Sequence, residues 1–127
     1  MIPSFSLSPD SSVFECREDH WWAIAKNGAS SEFDKRPVAF FPLLERSIKQ
    51  LSLSHPISEG FPWRDLIESA ATSSSAYWQN LALDRIEEMA MFDSCTVVLN
   101  QLVDKGTSQQ IRHRAQRLLK SAQSSPP

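Results

Sequence analysis

Residues 62–122 match themselves when shifted by 33 positions. Leu66 falls on Leu99, Ala70 on Val103, Ser74 on Thr107, Trp78 on Ile111, Ala82 on Ala115 and Ile86 on Leu119. A period of this length constrains the fold more than any other feature of the chain. Each copy must be one supersecondary unit that buries its apolar side against the next. The spacing predicts a shorter helix, a polar turn and a longer helix in each copy.

Pro62 opens the first of these helices, with Trp63, Leu66, Ile67 and Ala70 on one side. The serines at 73–75 break and recap the chain, and Trp78, Leu81, Ala82, Ile86 and Met89 then align. Asp93 or Ser94 caps the next helix, which carries Val98, Leu99, Leu102 and Val103 and stops at Gly106. Thr107 or Ser108 caps the last, with Ile111, Ala115, Leu118, Leu119 and Ala122 in line. The small Ala82 and Ala115 let neighbouring helices approach closely.

The first half reads as helix too. Ser12 and Glu15 have capping-box spacing, so a helix is expected from Ser12 to about Asn27, stopped by Gly28. Residues 29–36 read as a polar loop. Pro37 or Pro42 opens another helix, where Phe41, Leu44, Ile48 and Leu51 form one apolar stripe, and Pro56 closes it. No segment shows strict two-residue alternation. The expectation is an all-α single domain over 1–127, with five to six helices and no sheet. It divides into an extended start (1–10), N-terminal helices (11–61), two repeat units (62–122) and a disordered tail (123–127).

The stretch QIRHRAQRLLKSA (110–122) resembles the inner helix of a HEAT-type repeat, where an apolar residue, an arginine, a small alanine and paired leucines recur. The resemblance implies a short α-solenoid. The chain departs from that pattern in having two clear units and no proline within the first helix of each.

Charge is unevenly spread. From Lys105 onward there are five basic residues (Lys105, Arg112, Arg114, Arg117, Lys120) and no acid. The other 104 residues hold eight Lys and Arg against fifteen Asp and Glu, hence −7. On a helix the cations lie opposite the inward stripe, and cations suit a helix C-terminus. The basic helix therefore reads as structural, with Asp84 set against Arg117 by the repeat. Nucleic acid is not the expected partner, since the acidic remainder repels phosphates.

No catalytic motif is legible. The glycines Gly28, Gly60 and Gly106 read as helix stops rather than a phosphate loop. On a helix Glu18, Asp19 and His20 point in different directions, and neither His55 nor His113 has a convincing ligand partner, so no metal and no cofactor are expected. Cys16 and Cys95 read as reduced buried thiols. The N-terminus lacks signal-peptide character and no apolar run spans a bilayer, so a cytoplasmic location without membrane contact is expected.

A motif-free protein of this size is expected to present a surface to another protein. Its size, acidity and repeat style resemble bacterial toxin-immunity proteins, which implies neutralisation of a basic toxin domain. An adaptor subunit or a nucleic-acid-associated module remains open beside it. The partner-facing residues read from the sequence are Asn80, Asp84, Glu87 and Glu88, with Trp21 or Trp22 as an apolar anchor.

Overall fold

The computed structural model describes residues 3–7 and 12–123. It divides the chain into two compact units, Met1–Pro62 and Trp63–Pro127. The expected disordered tail lies outside the described residues apart from Gln123, and part of the expected extended start does too.

The first unit overturns the all-α expectation. It holds a four-stranded antiparallel sheet in sequential order: β1 (Ser4–Ser6), β2 (Val13–Arg17), β3 (His20–Ile24) and β4 (Ser30–Glu32). The solenoid reading fails with it, because half of the chain forms no helical hairpin. The cause lies in residues 12–27. Aromatic and β-branched side chains favour strands, and the alternation is present once the register is known. Phe14, Trp21 and Ala23 are buried, while Val13, Arg17 and His20 are exposed. Trp22, partly exposed on the outer face beside buried Trp21, hides the pattern. Glu15 sits opposite Trp22 in the ladder and does not cap a helix.

Two turns complete the sheet. Glu18 and Asp19 connect β2 to β3 with φ of 51° and 66°. Gly28 has φ of 88° and lies in the β3–β4 turn, where Asn27 Oδ1 accepts from the Ala29 N–H at 2.9 Å. Gly28, expected to stop a helix, instead closes a hairpin, at a positive φ that glycine adopts without a Cβ clash.

Beyond the sheet, Pro37–Glu45 form a 3-10 helix with Pro42 inside it. Proline removes an N–H and hinders α-helical geometry, and the chain becomes extended at Arg46 (φ −115°, ψ 150°). The single amphipathic helix expected here is therefore split. Its continuation, α1 (Ile48–Ser54), starts from Ser47, whose side chain accepts from the Gln50 N–H. A second 3-10 helix, Pro56–Gly60, follows.

An aromatic cluster holds this unit together. Trp21 meets Phe61 at 5.2 Å between ring centroids, Phe33 meets Phe40 at 5.2 Å, and Phe14 meets Phe40 at 5.4 Å. Phe40 is fully buried. Tilted and edge-on pairs of this kind add about 0.5–1.5 kcal/mol each beyond area burial.

The second unit contains α2 (Trp63–Ala71), α3 (Ala76–Met89), α4 (Thr96–Lys105) and α5 (Gln109–Gln123). The 33-residue period holds here at atomic level. Helices α2 and α4 start 33 residues apart, as do α3 and α5. Ser75 Oγ accepts from the Trp78 N–H at 3.3 Å, and Ser108 Oγ accepts from the Ile111 N–H at 3.2 Å. Gln79 Nε2 donates to Ser73 O at 2.9 Å, and Arg112 Nη1 donates to Gly106 O at 2.8 Å. Ala82 and Ala115 are fully buried, as are Leu66, Leu99, Ile86 and Ile111. Trp78, Val103 and Leu119 are only partly covered. Among the described residues no helix is long and apolar enough to cross a membrane.

Candidate functional site

The partner-facing residues read from the sequence fall into two places, one in each unit. On α3, Asp84 and Glu87 are engaged within the fold. Arg114 on α5 donates through Nη2 to Asp84 Oδ1 at 2.6 Å and to Glu87 Oε1 at 2.8 Å, and through Nη1 to the Asn80 carbonyl at 3.3 Å. Burial pulls the Arg114 pKa down, but its hydrogen bonds to Glu87 and Asp84 outweigh this and hold it above its ordinary value. Glu88 pairs instead with Arg85 at 2.8 Å. The α3 residues thus serve two separate ion-pair groups, and the cation facing Asp84 is Arg114 rather than Arg117. A carboxylate already bridged by a planar guanidinium has less to offer an incoming cation.

The same helix hairpins frame a cleft of roughly 430 Å³ lined by Thr72, Ser73, Gln79, Gln101, Lys105 and Thr107, among others. Gln79 forms its floor. The amide nitrogen donates to Ala71 O at 3.0 Å and Ser73 O at 2.9 Å. The amide oxygen accepts from the Thr107 N–H at 3.0 Å and the Thr107 hydroxyl at 2.8 Å. The best-buried polar group of the cleft is therefore spent on the fold.

The outer face of the sheet is differently equipped. Strand alternation sends Trp21 into the aromatic cluster and Trp22 to the other side, which accounts for a tryptophan doublet with one member packed and one at a rim. The register places Trp22 opposite Glu15 on β2 and opposite Glu32 on β4. Arg17 pairs across the ladder with His20 and forms an ion pair with Glu15. His20 Nδ1 lies 3.3 Å from Glu32 Oε1 and 3.8 Å from Asp34 Oδ2. Lys35 Nζ stands 3.8 Å from the other Glu32 oxygen. Trp22 is thus an aromatic ring between two carboxylates, with His20 and Asp34 beside it.

Glu15, Arg17, Glu32 and Asp34 were not legible as site residues, because a helical reading scatters them around an axis. The alternation of Phe14 and Cys16 with Glu15 and Arg17 is the signal that groups the first two, whereas Glu32 and Asp34 join them only through the pairing of the next hairpin.

Cys95 is fully buried, and burial, with Glu68 nearby, pushes its thiol pKa up. A thiol held protonated is a poor nucleophile.

Comparison with protein-family models, with curated proteins and with solved structures returned no match for the chain. The resemblance to HEAT-type repeats and to toxin-immunity proteins accordingly has no family or relative behind it, and the sheet removes its structural basis.

Proposed function

We propose that this chain is a non-catalytic protein-binding module that receives a basic segment of its partner on the outer face of the sheet. The observation that carries this reading is the cross-strand row Glu15–Trp22–Glu32. A Lys or Arg side chain laid on the Trp22 ring gains a cation–π contact, worth about 0.5–2 kcal/mol according to how dry the site becomes. The flanking carboxylates accept its N–H groups and give the contact direction. Tryptophan surrounded by polar side chains is also the usual make-up of a binding hot spot and its rim. The four strands are held by the aromatic cluster behind them, so the face is ordered before binding and loses little entropy on association.

The α3 acids come second: Arg114 bridges Asp84 and Glu87 much as Arg17 pairs with Glu15 and Lys35 with Glu32, but only the sheet register sets the Trp22 ring between its two carboxylates.

The test is site-specific photo-crosslinking in cells, with a benzophenone side chain at residue 22 in one variant and at residue 84 in another. The reading expects a protein adduct from residue 22. Trp22→Ala should weaken binding of the captured protein by at least about tenfold, and raised salt should weaken it further. Adducts from residue 84 alone, with Trp22→Ala binding as tightly as the parent, would transfer the interface to α3.

A further inference from the structure

We infer that His20, Glu32 and Asp34 form a binding site for one divalent transition-metal ion, with zinc the ion whose chemistry best fits the donors. The inference does not rest on the partner reading, although Glu32 takes part in both and a bound ion would leave Glu15 as the carboxylate facing a basic partner beside Trp22. It rests on three side chains from two adjoining chain segments that aim ligand atoms at one point.

The backbone explains the convergence. Trp22 pairs with Glu32 in the β3–β4 ladder, and the Phe33 N–H donates to the Trp21 carbonyl at 2.9 Å. Continuing that register sets His20 opposite Asp34. Glu32, two residues before Asp34, lies on the same face as the diagonal neighbour of His20. The tight Glu18–Asp19 turn immediately before His20 fixes where that residue starts. An imidazole and two carboxylates therefore share one face by construction.

The distances suit a metal. His20 Nδ1 is 3.3 Å from Glu32 Oε1 and 3.8 Å from Asp34 Oδ2, and the three ligand atoms all lie within 4.8 Å of one another. Donors bound tetrahedrally to zinc at about 2.0–2.2 Å are separated by about 3.3–3.6 Å. Modest rotation of Asp34, whose side chain is 71% exposed, closes the triangle. Glu32 is largely covered, and Lys35 faces its second oxygen, leaving Oε1 turned toward His20. Two carboxylates supply the negative charge that a divalent ion neutralises, while an imidazole donor favours zinc, nickel or copper over magnesium and calcium. Three protein ligands leave the fourth position to water or to a group from outside the chain.

The opposing account is that His20 donates to the two carboxylates and binds no ion. Calorimetry decides between them. Full-length protein freed of metal with a chelator is titrated with zinc chloride in a non-coordinating buffer. One zinc per chain is expected. His20→Ala and Asp34→Asn should each weaken binding by at least about tenfold, while His113→Ala and Glu59→Gln leave it as in the parent. Cobalt should give visible absorption bands that the His20→Ala variant lacks. Should a variant misfold by circular dichroism, carbethoxylation of the intact parent protein answers the same question, with zinc expected to protect His20 from modification. No saturable zinc binding, binding retained by His20→Ala with Asp34→Asn together, or carbethoxylation of His20 unaffected by zinc would overturn the site.

Discussion

Gln79 and Thr107 are joined by two hydrogen bonds across 28 residues of sequence, both to the same amide oxygen. The nitrogen of that amide holds the carbonyls of Ala71 and Ser73. One buried side chain therefore ties the α2–α3 turn to the α4–α5 turn. Each neutral hydrogen bond contributes only about 1 kcal/mol net, but leaving a buried partner unsatisfied costs about 1–3 kcal/mol. Gln79→Leu should lower the unfolding free energy of the second unit by about 2–4 kcal/mol, read from chemical denaturation.

A subtler change tests the polarity of the same link. Gln79→Glu keeps the shape but sets a carboxylate against the two carbonyl oxygens of Ala71 and Ser73. The folded state then favours the protonated acid, so the folded pKa of the new carboxyl lies above its unfolded value. Stability should be near that of the parent protein below about pH 4 and should fall as pH rises through the raised folded pKa. Denaturation midpoints of variant and parent across pH 4–8 check this. A variant that tracks the parent at every pH would mean that the amide nitrogen is not bonded as described.

How far the sequence could be read follows from which residues carry each pattern. In the second unit the apolar spacing, the 33-residue offset and the serine caps of α3 and α5 agree, while α4 departs by starting at Thr96 behind Cys95, where the sequence predicts a cap at Asp93 or Ser94. In the first unit the local signals conflict. The outward Trp22 breaks the alternation of β3, and the β2–β3 turn uses Glu-Asp where a hairpin usually announces itself with Asn-Gly. Ser12 and Glu15 imitate a helix cap by spacing alone. The candidate site was illegible for the same reason, since its side chains meet only through strand register. Arg114 was legible as a cation but not as the ligand of Asp84. A shift of three residues along α5, from Arg117 to Arg114, depends on how α3 and α5 pack.

Gly106 sits where the packed repeats leave no room for a side chain. A Cβ there would stand 2.7 Å from the Leu102 carbonyl oxygen and 2.9 Å from Ile111 Cγ2. Neither can retreat easily, as one is helix backbone and the other a fully buried side chain. Gly106→Ala should therefore destabilise by about 1–3 kcal/mol, although alanine at an ordinary backbone conformation usually stabilises relative to glycine. Gly60→Ala is the control, with open space around its Cβ. Paired melting curves should show a loss for Gly106→Ala only.

Cys95 links burial to alkaline pH. Its thiol pKa is raised chiefly by desolvation, then by Glu68. The folded state thus favours the neutral thiol. That contribution is fully present below the unfolded thiol pKa of about 8.5 and is lost as pH rises through the higher folded value. In native protein Cys95 should resist thiol-specific alkylation while the partly exposed Cys16 reacts. The test is mass spectrometry of the modified peptides at pH 8, with and without denaturant. Rapid native labelling of Cys95 would show that the second unit opens readily around it.

The β2–β3 turn carries strain that can be removed. Glu18 and Asp19 both adopt positive φ, at 51° and 66°, between the cross-strand pair Arg17 and His20. A two-residue hairpin with both central residues left-handed favours Asn-Gly, because side chains with a Cβ crowd the following carbonyl by about 1–2 kcal/mol per residue. Glycine returns part of that gain through its more disordered unfolded state, about 0.5–1 kcal/mol. Glu18→Asn with Asp19→Gly should therefore stabilise the first unit by about 0.5–1.5 kcal/mol and raise its melting temperature. Zinc affinity should stay as in the parent protein, because His20, Glu32 and Asp34 are untouched. A lower melting temperature would mean that the two carboxylates hold the turn through contacts stronger than the strain. Loss of zinc binding with the fold intact would place one of them among the ligands.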